Sequence, residues 1–207
     1  MVFRSDPVES PEEVKQRENM IKTAKVGKDV VKVVQRCDEA EESKTLDLSY
    51  CSLMKVPEAV TFILNERAYD IIKVNLSNNL ISKITPQFGG ACFLHLTCLD
   101  VSTNRLSSLP AELSQCKQLQ SVNISVNNFV EVPAVLFQLE SVTDINAKTN
   151  YIAEVDEDEL ENTECLEYLN IEENPLSLSC REKLQRIDRV RIIMSERKLE
   201  EWEDLSI

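Results

Sequence analysis

The sequence has little glycine, few aromatic residues and no long apolar run, and each shortage excludes a class of protein. Glycine occurs only as Gly27, Gly89 and Gly90, so the glycine-rich loops that cradle phosphates are absent. Aromatic residues make up 5% of the chain and apolar residues 43%, which predicts an aliphatic core. No run approaches the roughly 18 apolar residues that a membrane-spanning helix needs, so we expect no membrane partner.

The seven cysteines are scattered along the chain and include no Cys-x-x-Cys pair. The amino terminus lacks an apolar signal segment, so we expect a reducing compartment, the cytoplasm or alternatively the nucleus. Cys92, His95 and Cys98 have the spacing of metal ligands, but no fourth ligand accompanies them. We therefore expect neither a metal nor any other cofactor.

Acidic residues dominate, and the net charge is −13. Residues 151–180 hold ten acidic residues and no basic one, so most of the excess lies there. Negative charge argues against nucleic acid as a partner. Residues 154–173 are then either a solvated face, a surface for a basic partner, or one half of a clasp with the basic residues of 181–191.

A pattern, Leu-x-x-Leu-x-Leu-x-x-Asn-x-Leu, recurs along the chain, with other apolar residues at some leucine places. Full copies begin at Ile71, Leu96, Leu119, Val142 and Leu166, and a shorter copy begins at Leu46. The Asn place is filled in order by Cys51, Asn79, Asn104, Asn127, Asn150 and Asn174. Steps between these residues are 28, 25, 23, 23 and 24 residues, the period of a stacked-repeat protein.

Each copy predicts one short strand followed by a turn. The apolar-x-apolar pair turns one face of the strand to the core, and the Asn side chain bonds backbone groups that no strand pairing satisfies. Stacked copies then form an Asn ladder with Cys51 at its end. The fold class predicted is an α/β solenoid with a parallel sheet on its concave face and helices and turns on its convex face.

These copies resemble leucine-rich-repeat proteins, and among them the short intracellular members. The resemblance rests on the repeats of 43–180, the Val-rich stretch before Thr45, the Cys51 variant and the closing segment 171–176. It implies a curved solenoid that binds other proteins and has no catalytic site.

Three regions follow from the pattern. Residues 1–42 are predicted to be a tail and helical cap, 43–180 six repeats, and 181–207 a carboxy-terminal helical cap. The first cap is expected to bury one face of a helix over the first repeat, formed by Val26, Val30, Val33, Val34 and Cys37. A helix over 181–204 is expected to bury Leu184, Ile187, Val190 and Met194.

Residues between the apolar strand positions should face the concave surface and a protein partner. The predicted partner-binding residues are Asp47, Lys73, Asn75, Asp100, Asn123, Asn146, Lys148, Tyr168, Asn170 and Glu172. The competing interpretation is that the Asp, Asn and Ser residues there are ordinary solvated positions of the repeat.

No acid–base pair, activated nucleophile or cofactor loop is evident, so the sequence favours a monomeric, non-enzymatic adaptor or scaffold. The alternative is a regulatory or inhibitory subunit of an enzyme such as a phosphatase or GTPase, which rests on analogy with the fold alone.

Overall fold

A computed structural model describes residues 31–58, 60, 64, 70–86 and 93–196. Within these ranges seven strands form one parallel sheet in chain order. They are β1 Thr45–Asp47, β2 Lys73–Asn75, β3 Cys98–Asp100, β4 Ser121–Asn123, β5 Asp144–Asn146, β6 Tyr168–Asn170 and β7 Arg191–Ile193. Each residue pairs with the residue at the same place in the next strand. The predicted α/β solenoid is confirmed.

Helices and turns connect the strands. Residues 31–43 form helix α1 before the sheet. The later connections contain a 3-10 helix, η1 Ala111–Gln115, and three short helices, α2 Ala134–Phe137, α3 Glu157–Asn162 and α4 Leu178–Leu184. Side chains cap two of them: Asp156 accepts from the N–H of Glu159 in α3, and Ser177 accepts from the N–H of Cys180 in α4.

The core runs along the sheet as one aliphatic stack. The middle residue of every strand from β1 to β6 is buried, as is the apolar residue two places after it and, from β2 to β6, the one three places before it. Phe93 and Phe129 are the largest fully buried side chains. No unit could bury these residues alone, so most of the stability comes from contacts between neighbouring repeats.

Helix α1 covers the first repeat with one face. Val33, Cys37 and Ala40 are buried, whereas Val34 is exposed. The prediction for Val34 was wrong because residues four and seven places after Val33 share its side of a helix, and the residue next to it does not. Val26 and Val30 lie outside the described residues.

Polar side chains of α1 also reach the first repeat. The guanidinium of Arg36 donates to the backbone oxygens of Asp47 and Ser49, both at 2.8 Å, and to the Asp47 carboxylate at 3.3 Å. The Lys32 ammonium donates to the backbone oxygen of Tyr50 at 2.9 Å.

The predicted helix over 181–204 is wrong in the described part. Helix α4 ends at Leu184, and Arg191–Ile193 form the seventh strand. The edge of β6 provides the reason, because Arg191 N–H donates to the Glu167 oxygen and Ile193 accepts from the N–H of Ile171. These bonds satisfy an edge that a helix would leave open.

Burial at this end follows the prediction more closely than secondary structure does. Leu184 and Val190 are buried, and Ile187 and Met194 pack partly buried against the core. An apolar pattern therefore identified the residues that face the core while misassigning the backbone between them. Short apolar runs fit either structure.

Candidate functional site

The sheet has one face turned away from the core, here called the open sheet face. It is formed by the first and third residues of the strands, which stand on either side of the buried middle residue. The first residues form a column in which every side chain is at least partly exposed. This first column is Thr45, Lys73, Cys98, Ser121, Asp144, Tyr168 and Arg191.

The third residues of β1–β6 form a second column in which every member is Asp or Asn, called the Asx column. Its members are Asp47, Asn75, Asp100, Asn123, Asn146 and Asn170. Each Oδ1 accepts a hydrogen bond from the backbone N–H two residues later, at 2.9–3.2 Å. The column therefore holds the turn that ends each strand, as Asx turns do.

Each of these turns also contains a residue in the left-handed backbone conformation. Its φ lies between 53° and 56°, and the residues are Tyr50, Asn78, Thr103, Val126, Thr149 and Glu173. The conformation turns each N–H towards the next repeat, so that Val126, for example, donates to the Lys148 oxygen at 2.9 Å. A β-branched residue is strained in this conformation, and Val126 is one.

The predicted partner-binding residues consequently fall into three groups, of which Lys148 and Glu172, both after a strand, form the third. The six members of the Asx column have a structural bond that the sequence analysis did not assign to them. Lys73 and Tyr168 belong to the first column, and Arg191 and Asp144 join them there although they were not predicted to bind. The repeated Asp or Asn followed two residues later by Ser was the available signal for the turn role.

Lys148 and Glu172 are already paired with each other. The Lys148 ammonium lies 3.4 Å from Glu172 and 3.1 Å from Glu173. The hydrogen bond to Glu173 and the charge of Glu172 raise the pKa of Lys148. Hydrogen bonding from Thr149, then from Lys148, lowers the pKa of Glu173. A partner at this place must therefore compete with an existing network.

The carboxy-terminal end of the face also carries an aromatic residue beside a cation. The Arg191 guanidinium carbon lies 6.0 Å from the centre of the Tyr168 ring, the outer limit of a cation–π contact. Tyr and Arg are the residue types that most often anchor protein interfaces. Of the first column, this corner offers the largest side chains for binding.

The ladder positions lie behind the turns, and each Asn bridges two repeats. The Asn79 oxygen accepts from the N–H groups of Cys51 and Leu53, both at 3.0 Å, and its nitrogen donates to the oxygens of Leu48 and Leu76. Asn104, Asn127, Asn150 and Asn174 make the same bridge, although each oxygen accepts from one N–H of the preceding repeat and not from two. At the end, the Cys51 thiol donates to the Ser49 oxygen.

The described residues contain no group of three or more potential ligands that could hold a metal. His95 lies within 3.2 Å of Gln118 and 4.0 Å of Asp70, while Cys92 falls outside the described ranges. Burial raises the pKa of Cys116 to about 11, so this thiol stays protonated at neutral pH and is a poor nucleophile. In the part of the chain described, no helix is long and apolar enough to cross a bilayer.

Comparisons with known proteins agree on the repeat. The Leucine Rich Repeat family model matches residues 95–116, which contain the copy that begins at Leu96. A comparison with curated protein sequences gives no match.

Solved structures match over most of the repeats. A leucine-rich-repeat protein of Leptospira interrogans superposes with a TM-score of 0.62 at 23% identity, over 72% of this chain and 36% of its own. An internalin from Listeria monocytogenes gives 0.56 at 16% identity, over 73% and 43%. The plant hormone receptor RGFR1, solved in complex with RGF2, gives 0.53 at 23% identity, over 69% and 22%.

This chain spans less than half the length of each of these proteins. At such identities the matches establish the fold and nothing narrower. The seven-stranded sheet, the Asn ladder and these matches together show that the chain has the fold of the leucine-rich-repeat proteins.

Proposed function

We propose that this chain is a non-enzymatic adaptor or scaffold that binds a protein partner on the open sheet face, the concave face of the solenoid. The observation that carries the proposal is the first column, which presents one at least partly exposed side chain from each of seven strands in register. Its backbone is held by paired strands and by the Asx turns, so little conformational entropy is lost on binding.

The hydrogen bonds of the Asx turns favour the first column over the Asx column as the place where a partner makes its contacts. A side chain of the Asx column would lose its turn hydrogen bond if it turned to a partner. Lys73, Ser121 and Tyr168 in the first column can form new contacts without that loss. The receptor RGFR1, whose structure contains RGF2, is a fold relative with a peptide partner and is compatible with this role. We therefore place the interface on the first column.

We also propose that the chain is a short intracellular member of the class. Its Val-rich stretch before Thr45, its Cys51 variant and its closing segment 171–176 resemble leucine-rich repeat-containing protein 20. The scattered cysteines suit a reducing compartment, and none of the six described forms a disulfide.

The test places two large cations in the centre of the face. Cys98→Arg/Ser121→Arg alters adjacent residues of β3 and β4, and its matched control, Gln115→Arg/Gln138→Arg, adds the same charge at exposed residues of the convex side. Affinity capture from cell lysate followed by mass spectrometry should lose a partner with the first variant and keep it with the control. Equal capture by both variants would reject the open sheet face as the interface, provided that circular dichroism shows both folded.

The same experiment addresses the enzyme-regulator alternative, which no feature of the structure specifically favours. If the lost partner is a phosphatase or GTPase, its activity should change when purified wild-type chain is added, and Cys98→Arg/Ser121→Arg should abolish that change. A scaffold should leave the activity of its partner unaltered.

A further inference from the structure

Two large apolar side chains are exposed together outside the open sheet face. Val130 is 64% exposed and Tyr151 is 61% exposed. Tyr151 N–H donates to the Phe129 oxygen, and a parallel bridge joins Glu131 to Glu154, so these residues lie side by side in adjacent repeats. Exposed apolar surface of this kind marks interaction sites when it adjoins polar groups.

A groove of about 460 Å³ adjoins this apolar strip, and we call it the acidic groove. It lies where two successive repeats pass from the Asn ladder to helices α2 and α3. Its lining combines aliphatic side chains such as Val130 with the carboxyl groups of Glu131, Glu154, Asp156 and Glu159. Aliphatic groups thus alternate with four carboxyl groups, and the lining contains no Lys or Arg.

The carboxylates of the groove are only partly compensated within the described chain. Asp156 caps α3, and Glu154 interacts with the Cys180 thiol, but Glu131 and Glu159 form no ion pair with a described residue. Nearby Lys183 pairs with Glu157 outside the lining, and this bond raises its pKa. Like charges opposite each other in a backbone bridge are destabilising, so an added cation is favoured where Glu131 is bridged to Glu154.

We propose that the acidic groove docks a segment of a protein partner in which Lys or Arg flanks an apolar side chain. The cation would sit between Glu131 and Glu154, and the apolar side chain would contact Val130 and Tyr151. Nucleic acid and anionic lipid surfaces are repelled by this charge, and a second copy of a chain of net charge −13 is repelled as well. This surface is separate from the open sheet face and allows a second partner to bind simultaneously.

The test uses a short fluorescein-labelled peptide that alternates lysine and leucine, with binding followed by fluorescence anisotropy. Glu131→Lys/Glu154→Lys should weaken binding about tenfold or more, because it replaces attraction by repulsion at the groove. Tyr151→Ala should weaken it several-fold without changing the charge, through loss of the apolar contact. Glu131→Gln/Glu154→Gln serves as the milder variant if the lysine substitutions impair folding.

The matched control is Glu164→Lys/Glu167→Lys, which makes the same change in net charge at two exposed residues outside the groove. It should change the affinity by less than about twofold. Equal weakening by the two double variants would show bulk attraction only and would overturn the proposal, as would absence of binding to the wild type. Equally tight binding of a lysine–serine peptide would overturn the apolar contact.

The variant Cys98→Arg/Ser121→Arg separates this proposal from the proposed function. It should bind the lysine–leucine peptide as the wild type does, even if it has lost its cellular partner. Loss of peptide binding in this variant would place the peptide on the open sheet face and contradict the groove. Self-association of the wild type in sedimentation, reversed by the Glu131 and Glu154 substitutions, would assign the groove to a second copy instead.

Discussion

The two ends of the solenoid leave opposite backbone groups unpaired, and different side chains and backbone atoms bond to them. In the interior, N–H groups of one repeat donate to oxygens of the next: Leu76 donates to Asp100, Asn78 to Ser102 and Asn79 to Thr103. The first repeat therefore has oxygens with no preceding donor, and the last repeat has N–H groups with no following acceptor.

Cationic side chains supply the donors at the first repeat. Arg36 bonds the oxygens of Asp47 and Ser49, and Lys32 bonds that of Tyr50. These oxygens are the counterparts of the interior acceptors on Asp100, Ser102 and Thr103. Helix α1 thus replaces a missing repeat with three hydrogen bonds as well as with its apolar face.

Backbone and hydroxyl oxygens supply the acceptors at the last repeat. The Ile193 oxygen accepts from Ile171 N–H, and the Ser195 hydroxyl accepts from Glu173 N–H at 2.6 Å. The guanidinium of Arg189 has a different role, because it donates to the oxygens of Leu160 and Leu166 in the connection between β5 and β6. Each end is therefore closed by groups that complement its unpaired backbone atoms. Cations donate to the oxygens of the first repeat, and oxygens accept from the N–H groups of the last repeat.

An interior Asn of the ladder provides the reference for both ends, and its substitution should lower the free energy of unfolding the most. The buried Asn127 accepts from Leu106 N–H and donates to three backbone oxygens. Asn127→Ala should lower the free energy of unfolding by about 3 kcal/mol, because buried polar groups in two repeats lose their partner. Urea denaturation measures this, and exposed Asn128→Ala is the control, with an expected change within about 0.5 kcal/mol. Equal effects of the two changes would contradict the role of the ladder.

Substitution at the amino-terminal end of the solenoid should cause the next largest loss of unfolding free energy. Arg36→Met keeps an apolar stem over the first repeat but removes all three guanidinium hydrogen bonds, so we expect a loss of about 2 kcal/mol in the same assay. Arg186→Met, at an exposed residue, should lose less than about 0.5 kcal/mol. A loss no larger than that of the control would show that the oxygens of the first repeat need no cation.

Substitutions at the carboxy-terminal end should destabilise the fold less, because most of the acceptors there are backbone oxygens that a side-chain substitution leaves in place. Ser195→Ala removes a single acceptor, that of Glu173 N–H, and should cost about 1 kcal/mol. Thermal unfolding followed by circular dichroism is the measurement. A loss larger than that of Arg36→Met would reverse the comparison between the two ends.

The smallest effect concerns the carboxylate of Asp47. Burial alone raises its pKa, but hydrogen bonds from Ser49 and the charges of Arg36 and Lys32 outweigh burial and hold the pKa below its ordinary value of 3.8. A lowered pKa in the folded state stabilises the fold above the unfolded-state pKa, and this contribution is lost as the pH falls through the folded-state pKa. Arg36→Met should therefore raise the pKa of Asp47 in an NMR titration, and an unchanged pKa would remove Arg36 from the explanation.

The repeated sheet could be predicted from the sequence because its period is marked by a residue with one role. Five Asn residues in register fix the repeat, and the apolar-x-apolar pairs beside them fix the strands. The turn role of the Asx column was missed for a different reason. Asp and Asn on a strand read equally well as partner-binding groups, and only the bonds to Ser49 and its counterparts distinguish the two.

The seventh strand could not be predicted because it departs from the pattern. Ile192 and Met194 keep the apolar-x-apolar pair, but Arg189 stands where Leu166 and its counterparts begin the other copies, and Arg197 replaces the ladder Asn. A clasp between the basic residues of this region and acidic side chains was one of three alternatives for the charged segments. Lys183 forms such a pair with Glu157, whereas Arg189 binds backbone oxygens, which a sequence of charges does not reveal.

The most direct test of this account is hydrogen–deuterium exchange of Lys32→Met/Arg36→Met, with Lys55→Met/Arg105→Met, at exposed residues, as the matched control. In a solenoid each repeat contacts only its neighbours, so damage at one end should stay there. Amides in 46–53 should exchange faster in this variant, those in 119–176 should be unchanged, and the control should equal the wild type. Unchanged exchange in 46–53, or an equal increase along the whole chain, would contradict the claim that α1 replaces a missing repeat.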